Sequence, residues 1–288
     1  MERGKLRGLL DNPDVPGLLR GEIWIEPKVL SAEGFPQGPR GLADFAESMG
    51  ADICFFHWPD EAERMEVREL AAVARSRGLG CALVVDGPFQ RLVSHRDPCT
   101  VLCESASDPK RFVAGLDQEK ENVMTALDLL RGSEIDLVLI GEDVGYRGGL
   151  YFSPDIFRTF LMPFYEAVLE HFRADHFVWG WHSDGNVATL LPDLVSCGFR
   201  CFSLEPECVD LLDFKRRNRS RICLIGGIRA DWLMAASADR EWETTSLREI
   251  QALVGEGGLI LTSTCGLHDP AFLSNIRKLY RLVDRIPL

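Results

Sequence analysis

The chain has 288 residues, of which 46% are hydrophobic and 26% charged, a balance typical of a folded globular protein and not of a disordered one. Its 44 acidic residues outnumber 32 basic ones, and no Lys/Arg-rich block is present, so nucleic acid is not an expected partner. No apolar run is long enough for a signal peptide or a membrane span, and we expect a cytoplasmic protein.

Short apolar runs recur along the chain with helical stretches between them, which predicts βα units and a parallel sheet. The runs cover residues 21–26, 53–58, 81–87, 136–144, 177–184, 200–207, 222–228 and 259–266. We therefore predict a single (β/α)8 TIM barrel domain over residues 1–288. A doubly wound open sheet is the structural alternative.

Outer helices are predicted where apolar residues recur at spacings of three and four between charged ones. Such segments cover residues 64–77, 108–130, 154–173 and 244–254. Asp108 before Pro109, and Ser153 before Pro154, each fit a helix N-cap followed by proline at the first helical position.

The predicted strands end with, or just before, polar or reactive side chains. In a barrel these carboxyl ends share one mouth, so residues scattered along the sequence would line one pocket. The side chains in question are His57, Asp86, Glu142, Asp143, His182, Asp184, Glu205, Glu207, Arg229 and Cys265.

A metal site is one interpretation of this set. His182, Glu205 and Cys265 offer imidazole, carboxylate and thiolate, which are the ligand types that zinc accepts. Asp184, two residues after His182, points to the same face of an extended strand and could reach the same ion. Because no CxxC or HExxH spacing occurs, a histidine bonded to a carboxylate and a cysteine packed as a small hydrophobe remain the alternative.

Several sequence runs resemble the uroporphyrinogen decarboxylase-like superfamily, which implies a TIM barrel with its site at the mouth. They are GEDVG at 141–145, SPDIFRTFLMPFYEAV at 153–168, WHSDGNVATLLPDLVSCGF at 181–199 and SLEPE at 203–207. The likeness extends to VDGPFQRLV at 85–93, GGI at 226–228 and GGLILTSTCG at 257–266. Residues 1–50 are weakly matched.

Two functional branches share this fold. The decarboxylases carry an arginine-rich N-terminal motif resembling RQAGR, which binds the acidic groups of the tetrapyrrole, and Arg7, Arg20 and Arg40 lack its context. The corrinoid-dependent methyltransferases are similar to cobalamin-independent methionine synthase around a zinc site. That site has a His-x-Cys pair, a glutamate about two dozen residues later and a cysteine on the last strand.

The methyltransferase resemblance can be carried onto individual residues. It implies that His182 is the histidine, Glu205 or Glu207 the glutamate, and Cys265 the last cysteine. Asp184 stands where the family has its middle cysteine. A carboxylate in place of a thiolate leaves zinc a stronger Lewis acid, which favours a methyl ether or methanol-like donor.

The function implied is methyl transfer between a small methylated substrate and a corrinoid protein, with zinc in the barrel and the corrinoid carried by the partner. A metal-free decarboxylase-like lyase that binds a polyacid through Arg147 and Arg229 stays open, as does a non-catalytic binding or accessory protein. Homodimer formation is also open.

The methyltransferase interpretation also gives predicted roles to the remaining polar residues of the mouth. Glu142 and Asp143 are predicted to orient substrate or donate a proton, with Asp184 a third catalytic candidate, and a structural role for the Glu142–Asp143 pair is the alternative. The predicted substrate contacts, of which the aromatic members could equally belong to the core, are His57, Asp86, Tyr151, Trp181, Glu207 and Arg229.

Overall fold

The structure is a computed structural model that describes residues 4–57, 67–235 and 241–286. Its eight-stranded parallel sheet curls into a nearly closed barrel with helices between the strands, which confirms the predicted (β/α)8 fold. In the described part of the chain the strands are β1 (Leu18–Arg20), β2 (Ile53–His57), β3 (Gly80–Asp86), β4 (Leu137–Gly141), β5 (Gly145–Tyr146), β6 (Gly149–Leu150), β7 (Val178–Ser183), β8 (Cys201–Leu204), β9 (Cys223–Ile228) and β10 (Leu259–Ser263).

Strands pair in the order β1-β10-β9-β8-β7-β4-β3-β2, and β5 and β6 form a separate antiparallel hairpin after β4. The barrel edges β1 and β2 meet through a backbone hydrogen bond in which the Asp52 amide donates to the Arg20 carbonyl at 2.8 Å. All carboxyl ends of the barrel strands therefore open on one side of the molecule.

The helices fill the connections between strands and cover the outside of the sheet. They are α1 (Lys5–Asp11), α2 (Pro27–Ala32), α3 (Pro39–Ser48), α4 (Val67–Arg75), α5 (Pro88–His95), α6 (Pro98–Ser107), α7 (Pro109–Asp128), α8 (Pro154–Ile156), α9 (Met162–His171), α10 (Leu191–Cys197), α11 (Leu211–Arg217), α12 (Ala230–Met234), α13 (Glu241–Gly255) and α14 (Leu273–Val283). A π-helical turn, Phe157–Leu161, joins α8 to α9, and a 3₁₀ turn, Pro270–Phe272, precedes α14. Among the described residues no helix is both long and apolar enough to cross a membrane.

Both predicted N-caps are confirmed. The Asp108 carboxylate accepts a hydrogen bond from the Arg111 amide at the start of α7, and the Ser153 hydroxyl accepts one from the Ile156 amide at the start of α8. Each cap satisfies a backbone amide that has no partner inside its helix, and the proline that follows needs none.

The predicted first strand, residues 21–26, was placed too late along the chain. The ladder with β10 spans Leu18–Arg20. Residues 21–26 follow it outside the ladder and contact β10 mainly through the Gly21 amide and the Glu22 carboxylate. Some predicted strands extend too far at their carboxyl ends. The strand predicted over residues 136–144, for example, is observed as Leu137–Gly141. The polar residues there leave the ladder because they form the loops of the mouth.

Strand residues alternate between two apolar layers, which explains their nearly continuous hydrophobic runs. Phe55 packs inside the barrel, whereas its neighbours Cys54 and Phe56 pack between the sheet and the helices. Burial on both faces makes the strand positions rigid, so side chains at the strand ends are held by a fixed frame.

Candidate metal and substrate site

A polar cavity of about 200 Å³ opens at the carboxyl ends of the strands. Among the described residues that line it there are three aspartates and three histidines but no lysine or arginine, so its electrostatic potential favours a cation. The lining residues are Ile23, Trp24, His57, Val84, Asp86, Gln90, Gly141, Asp143, His182, Asp184, Thr264, Cys265 and His268.

Asp143, His182 and Asp184 form the tightest group in this cavity, with one ligand atom of each lying within 4.8 Å of the others. His182 Nε2 lies 3.6 Å from Asp184 Oδ1 and 3.9 Å from Asp143 Oδ1. The two loops are tied together because the Asp184 amide donates to Asp143 Oδ1 at 2.8 Å. The end of β7 supplies the imidazole, and the loops after β4 and β7 bring the two carboxylates to it.

Asp184 carries the least satisfied oxygen of this group. Its Oδ1 is buried and, within the part of the chain that the structure describes, accepts no hydrogen bond. Burial raises the pKa of Asp184 to about 6, and the nearby charges of Asp143 and Glu205 add to this while His182 opposes it. Buried carboxylate oxygens are normally bonded, so this oxygen distinguishes Asp184 from the other two members of the group.

His182 is held from its far side. Its Nδ1 lies 2.8 Å from the Ser203 hydroxyl, which leaves Nε2 directed at the two aspartates. On the β4 side the register partner of His182 is Gly141, whose missing side chain leaves room for the cavity.

Glu205, predicted as a metal ligand, lies outside the three-residue group. Its Oε2 accepts hydrogen bonds from the Gly185 amide at 2.7 Å and from the Cys208 thiol at 3.2 Å. Gly185 has φ of +80°, and a Cβ there would come within 2.5 Å of the Gly145 carbonyl carbon. Glu205 therefore fastens the turn that follows His182, and its role as a ligand remains a prediction.

Cys265, the predicted thiolate ligand, lines the same cavity as His182. Burial raises the pKa of its thiol to about 11, and the carboxylates of Glu22 and Glu207 add to the effect. Without a cation the thiol is therefore protonated at neutral pH. Its ligand role also remains a prediction.

Glu142, predicted as catalytic, is fully buried and is not among the cavity-lining residues. Its carboxylate accepts hydrogen bonds from the Tyr165 hydroxyl at 2.6 Å, the Gln90 amide at 2.8 Å and the Phe89 amide at 3.2 Å. Burial raises its pKa to about 8, against these hydrogen bonds. The structural alternative left open by the sequence describes Glu142, whereas its neighbour Asp143 faces the cavity.

Two predicted substrate contacts, His57 and Asp86, do line the cavity. Burial lowers the pKa of His57 to about 4, so the ring is neutral; its Nε2 lies 2.7 Å from the Ile23 carbonyl, and its edge meets the Trp24 ring at a centroid distance of 4.3 Å. Burial raises the pKa of Asp86 as well. Asp86 is therefore a partly desolvated carboxyl group in the lining of the cavity.

The other four predicted substrate contacts lie elsewhere. Trp181 is fully buried in the layer outside the barrel, because it precedes His182 on β7 and so points to the opposite face. Glu207 accepts a hydrogen bond from the Ala230 amide, and Arg229 pairs with Asp231. Tyr151 is exposed and stacks on Tyr146 in the hairpin region.

Sequence reasoning missed several cavity residues, namely Trp24, Gln90, Thr264 and His268. Trp24 is among them because the sequence predicts a strand over residues 21–26, whereas these residues form the loop that follows β1. Thr264 and His268 follow β10, and the rule that strand ends share one mouth could have indicated both.

Comparison with known proteins supports the fold and gives a family. The chain is 27% identical over 176 residues to a methylcobamide:CoM methyltransferase, MtaA, of Methanosarcina barkeri, a match that covers 60% of this chain and 48% of that protein. The matched region thus spans about half the length of that curated relative.

Solved structures share the barrel. A methyltransferase from Methanosarcina mazei superposes with a TM-score of 0.71 at 16% identity, covering 97% of this chain and 96% of the other. A putative vitamin-B12 independent methionine synthase from Listeria monocytogenes gives 0.57 at 12% identity, covering 96% and 99%. At these identities the likeness concerns the fold. The uroporphyrinogen decarboxylase (URO-D) family model matches residues 86–286, and the chain belongs to that family.

Proposed function

We propose that this protein is a methyltransferase of a corrinoid-dependent system, which moves a methyl group between a small methylated substrate and a corrinoid protein. The observation that carries the proposal is the Asp143–His182–Asp184 group, with its buried unbonded oxygen, in the mouth of the barrel. The relative named as a methylcobamide:CoM methyltransferase supports the general kind of reaction.

The donor set fits a divalent cation such as zinc. Imidazole nitrogen and carboxylate oxygen are zinc ligands, and a catalytic site uses a few protein ligands and keeps one position open. The negative charge of two close aspartates lacks a cationic partner among the described cavity residues, which a metal ion would supply. Asp143, His182 and Asp184 would hold it, and we keep Cys265 and Glu205 as further proposed ligands.

Zinc held there would supply Lewis acidity toward the heteroatom that leaves the methyl carbon. The protein residues have separate tasks. Asp86, which lines the cavity and whose pKa is raised by burial, is the candidate for exchanging a proton with that heteroatom. His57 and Trp24 form an uncharged aromatic part of the cavity lining, which would exclude water and orient the methyl group toward the corrinoid of the partner protein.

The cavity argues against the alternative of a metal-free decarboxylase. A polyacid substrate needs cationic side chains, whereas the described lining residues of this cavity include no arginine or lysine. Arg229, one of the arginines considered for that role, is paired with Asp231 instead. A neutral or cationic methylated substrate matches the charge of the site better.

Metal analysis tests the proposal first. The parent protein, purified without a histidine tag, is expected to hold one zinc per chain, and His182→Ala, Asp184→Ala and Cys265→Ala are expected to lose it. His171→Ala serves as the matched control, since that imidazole lies on α9, pairs with Asp128 and is not among the cavity-lining residues. A parent that takes up no zinc would contradict the metal site and return the decarboxylase and the accessory protein to consideration.

Methyl transfer is then measured with free cob(I)alamin as the acceptor and methanol or a methyl ether as the donor. In the reaction the cobalt electron pair forms the Co–CH3 bond while the carbon–oxygen bond breaks, and the oxygen takes up a proton. We expect an absorbance change to methylcobalamin that requires zinc and is lost in Asp184→Ala. A zinc-loaded protein without such transfer would favour the accessory role.

A further inference from the structure

Ser203 is the residue that contacts the far side of the His182 ring. It lies on β8, is fully buried, and is the register partner of His182 on β7. Side chains of register partners in neighbouring parallel strands project to the same face of the sheet, so the hydroxyl is directed at the ring by the strand geometry. The Oγ–Nδ1 distance is 2.8 Å, and on the other side Gly141 offers the ring no side chain.

The two nitrogens of His182 therefore face opposite surroundings. Nε2 faces the carboxylates of Asp143 and Asp184, at 3.9 and 3.6 Å, and Nδ1 faces a hydroxyl group. A neutral imidazole has one N–H donor and one acceptor nitrogen, and the partner of one nitrogen decides which is which.

Cation binding changes whether the Ser203 hydroxyl must accept or donate a hydrogen bond at Nδ1. When Nε2 gives its lone pair to a cation, the ring proton must be on Nδ1, and this buried N–H needs an acceptor. When no cation is bound, the two carboxylates favour the proton on Nε2, and Nδ1 then needs a donor. A carbonyl or carboxylate could serve only the first state, whereas a hydroxyl can accept in one and donate in the other.

We propose that Ser203 is the positioning residue of the cation site and that its hydroxyl holds His182 in both tautomers, so that the site can take up and release a cation without losing this hydrogen bond. The inference rests on the proposed function, because it requires a cation at Asp143, His182 and Asp184. It assigns no contact with substrate to Ser203.

Two serine variants separate this role from general packing. Ser203→Ala removes the hydroxyl beside the ring. Ser246→Ala is the matched control, because Ser246 is equally buried but lies on α13, where its hydroxyl donates to the Glu243 carbonyl and contacts none of the proposed ligands. Ser203→Thr restores a hydroxyl and tests rescue.

Zinc affinity, measured by calorimetry on the metal-free full chain, is expected to fall about 10- to 100-fold in Ser203→Ala, the range found for outer partners of ligating histidines. Ser246→Ala should stay near the parent, and Ser203→Thr should recover much of the loss. Nitrogen-15 NMR of the His182 ring should show the Nε2–H tautomer in the metal-free parent and the Nδ1–H tautomer with zinc.

The outcomes are separable. If the parent binds no zinc, the metal site itself fails. If the parent binds zinc but Ser203→Ala binds it equally tightly, if both alanine variants lose affinity equally, or if the ring keeps one tautomer with and without zinc, the role of Ser203 is overturned while the metal site stands.

Discussion

The two ends of the barrel treat buried charge differently. At the amino ends of the strands, Lys215 is fully buried and its ammonium group donates to the carbonyls of Pro13 at 2.7 Å, Arg219 at 3.1 Å, and Ile222. At the carboxyl ends, Asp184 has a buried oxygen that accepts no hydrogen bond within the described residues. One end is closed with its charge satisfied, and the other is left incomplete.

Depth of burial alone does not explain the contrast. Glu142 follows β4 at the open end and is as fully buried as Lys215, but three donors satisfy its carboxylate. The difference lies in whether partners are provided. In barrels of this kind the amino end serves stability and the loops at the carboxyl ends carry the chemistry, and the proposed cation site coincides with the unsatisfied group.

Lys215→Met should have the largest effect on stability. It removes the donor shared by three carbonyls and leaves the buried carbonyls of Pro13 and Ile222 without this partner, which we expect to lower the free energy of unfolding by about 3 kcal/mol. Urea unfolding of the metal-free protein measures this. Zinc affinity of the folded fraction should not change, and a stability loss below about 1 kcal/mol would remove the contrast between the two ends.

Gly87→Ala and Gly141→Ala form a matched pair near the mouth. A Cβ at Gly87 would lie 2.4 Å from the Glu142 carboxyl carbon, whereas at Gly141 the nearest atom is 3.9 Å away. We expect Gly87→Ala to destabilise by about 2 kcal/mol, as overpacking does, and Gly141→Ala to be tolerated. Equal unfolding free energies for the two variants would show that the Glu142 side chain can shift to accommodate the added methyl group at little cost.

Glu22 predicts a pH dependence of stability. Burial raises its pKa from 4.5 to about 7, although Tyr280, Ser263 and Thr262 donate hydrogen bonds to it. The protonated form is therefore favoured in the folded state, and the stability it contributes is present below about pH 4.5 and lost as the pH rises through about 7.

Glu22→Gln should flatten this part of the profile, since the amide cannot ionise. Unfolding free energies of the metal-free parent and the variant, compared from about pH 5 to about pH 8, give the measurement. An unchanged slope in the variant would mean that other carboxyl groups carry the dependence.

Asp184→Asn should have the smallest effect on stability. It removes one of two close negative charges, so the metal-free protein should keep its free energy of unfolding within about 0.5 kcal/mol or gain slightly. Zinc affinity should fall by more than the roughly 10- to 100-fold typical of an outer partner, because a direct ligand is lost. If Asp184→Asn loses much stability but still binds zinc, Asp184 has a structural role, and the contrast between the two ends of the barrel does not hold.

The sequence by itself predicted the barrel, with an open sheet as the alternative, and the end of the strands at which the candidate cavity lies. Apolar runs that alternate with amphipathic segments predict βα units. Strands buried on both faces are almost continuously apolar, whereas helices buried on one face have apolar residues every three to four positions. The position of polar residues after each run placed His57, Asp86, Asp143, His182, Asp184 and Cys265 at one mouth, and the structure brings all of these to one cavity.

Only the tertiary structure decided which of these residues act together. The spacing of Glu142 and Asp143 does not distinguish a carboxylate held by three donors from one that faces a cavity, because their partners are distant in sequence. Ser203 is likewise ordinary in sequence and becomes significant through its register with His182 across β7 and β8. Hydrogen-bond satisfaction depends on contacts between strands, and those contacts exist only once the barrel has closed.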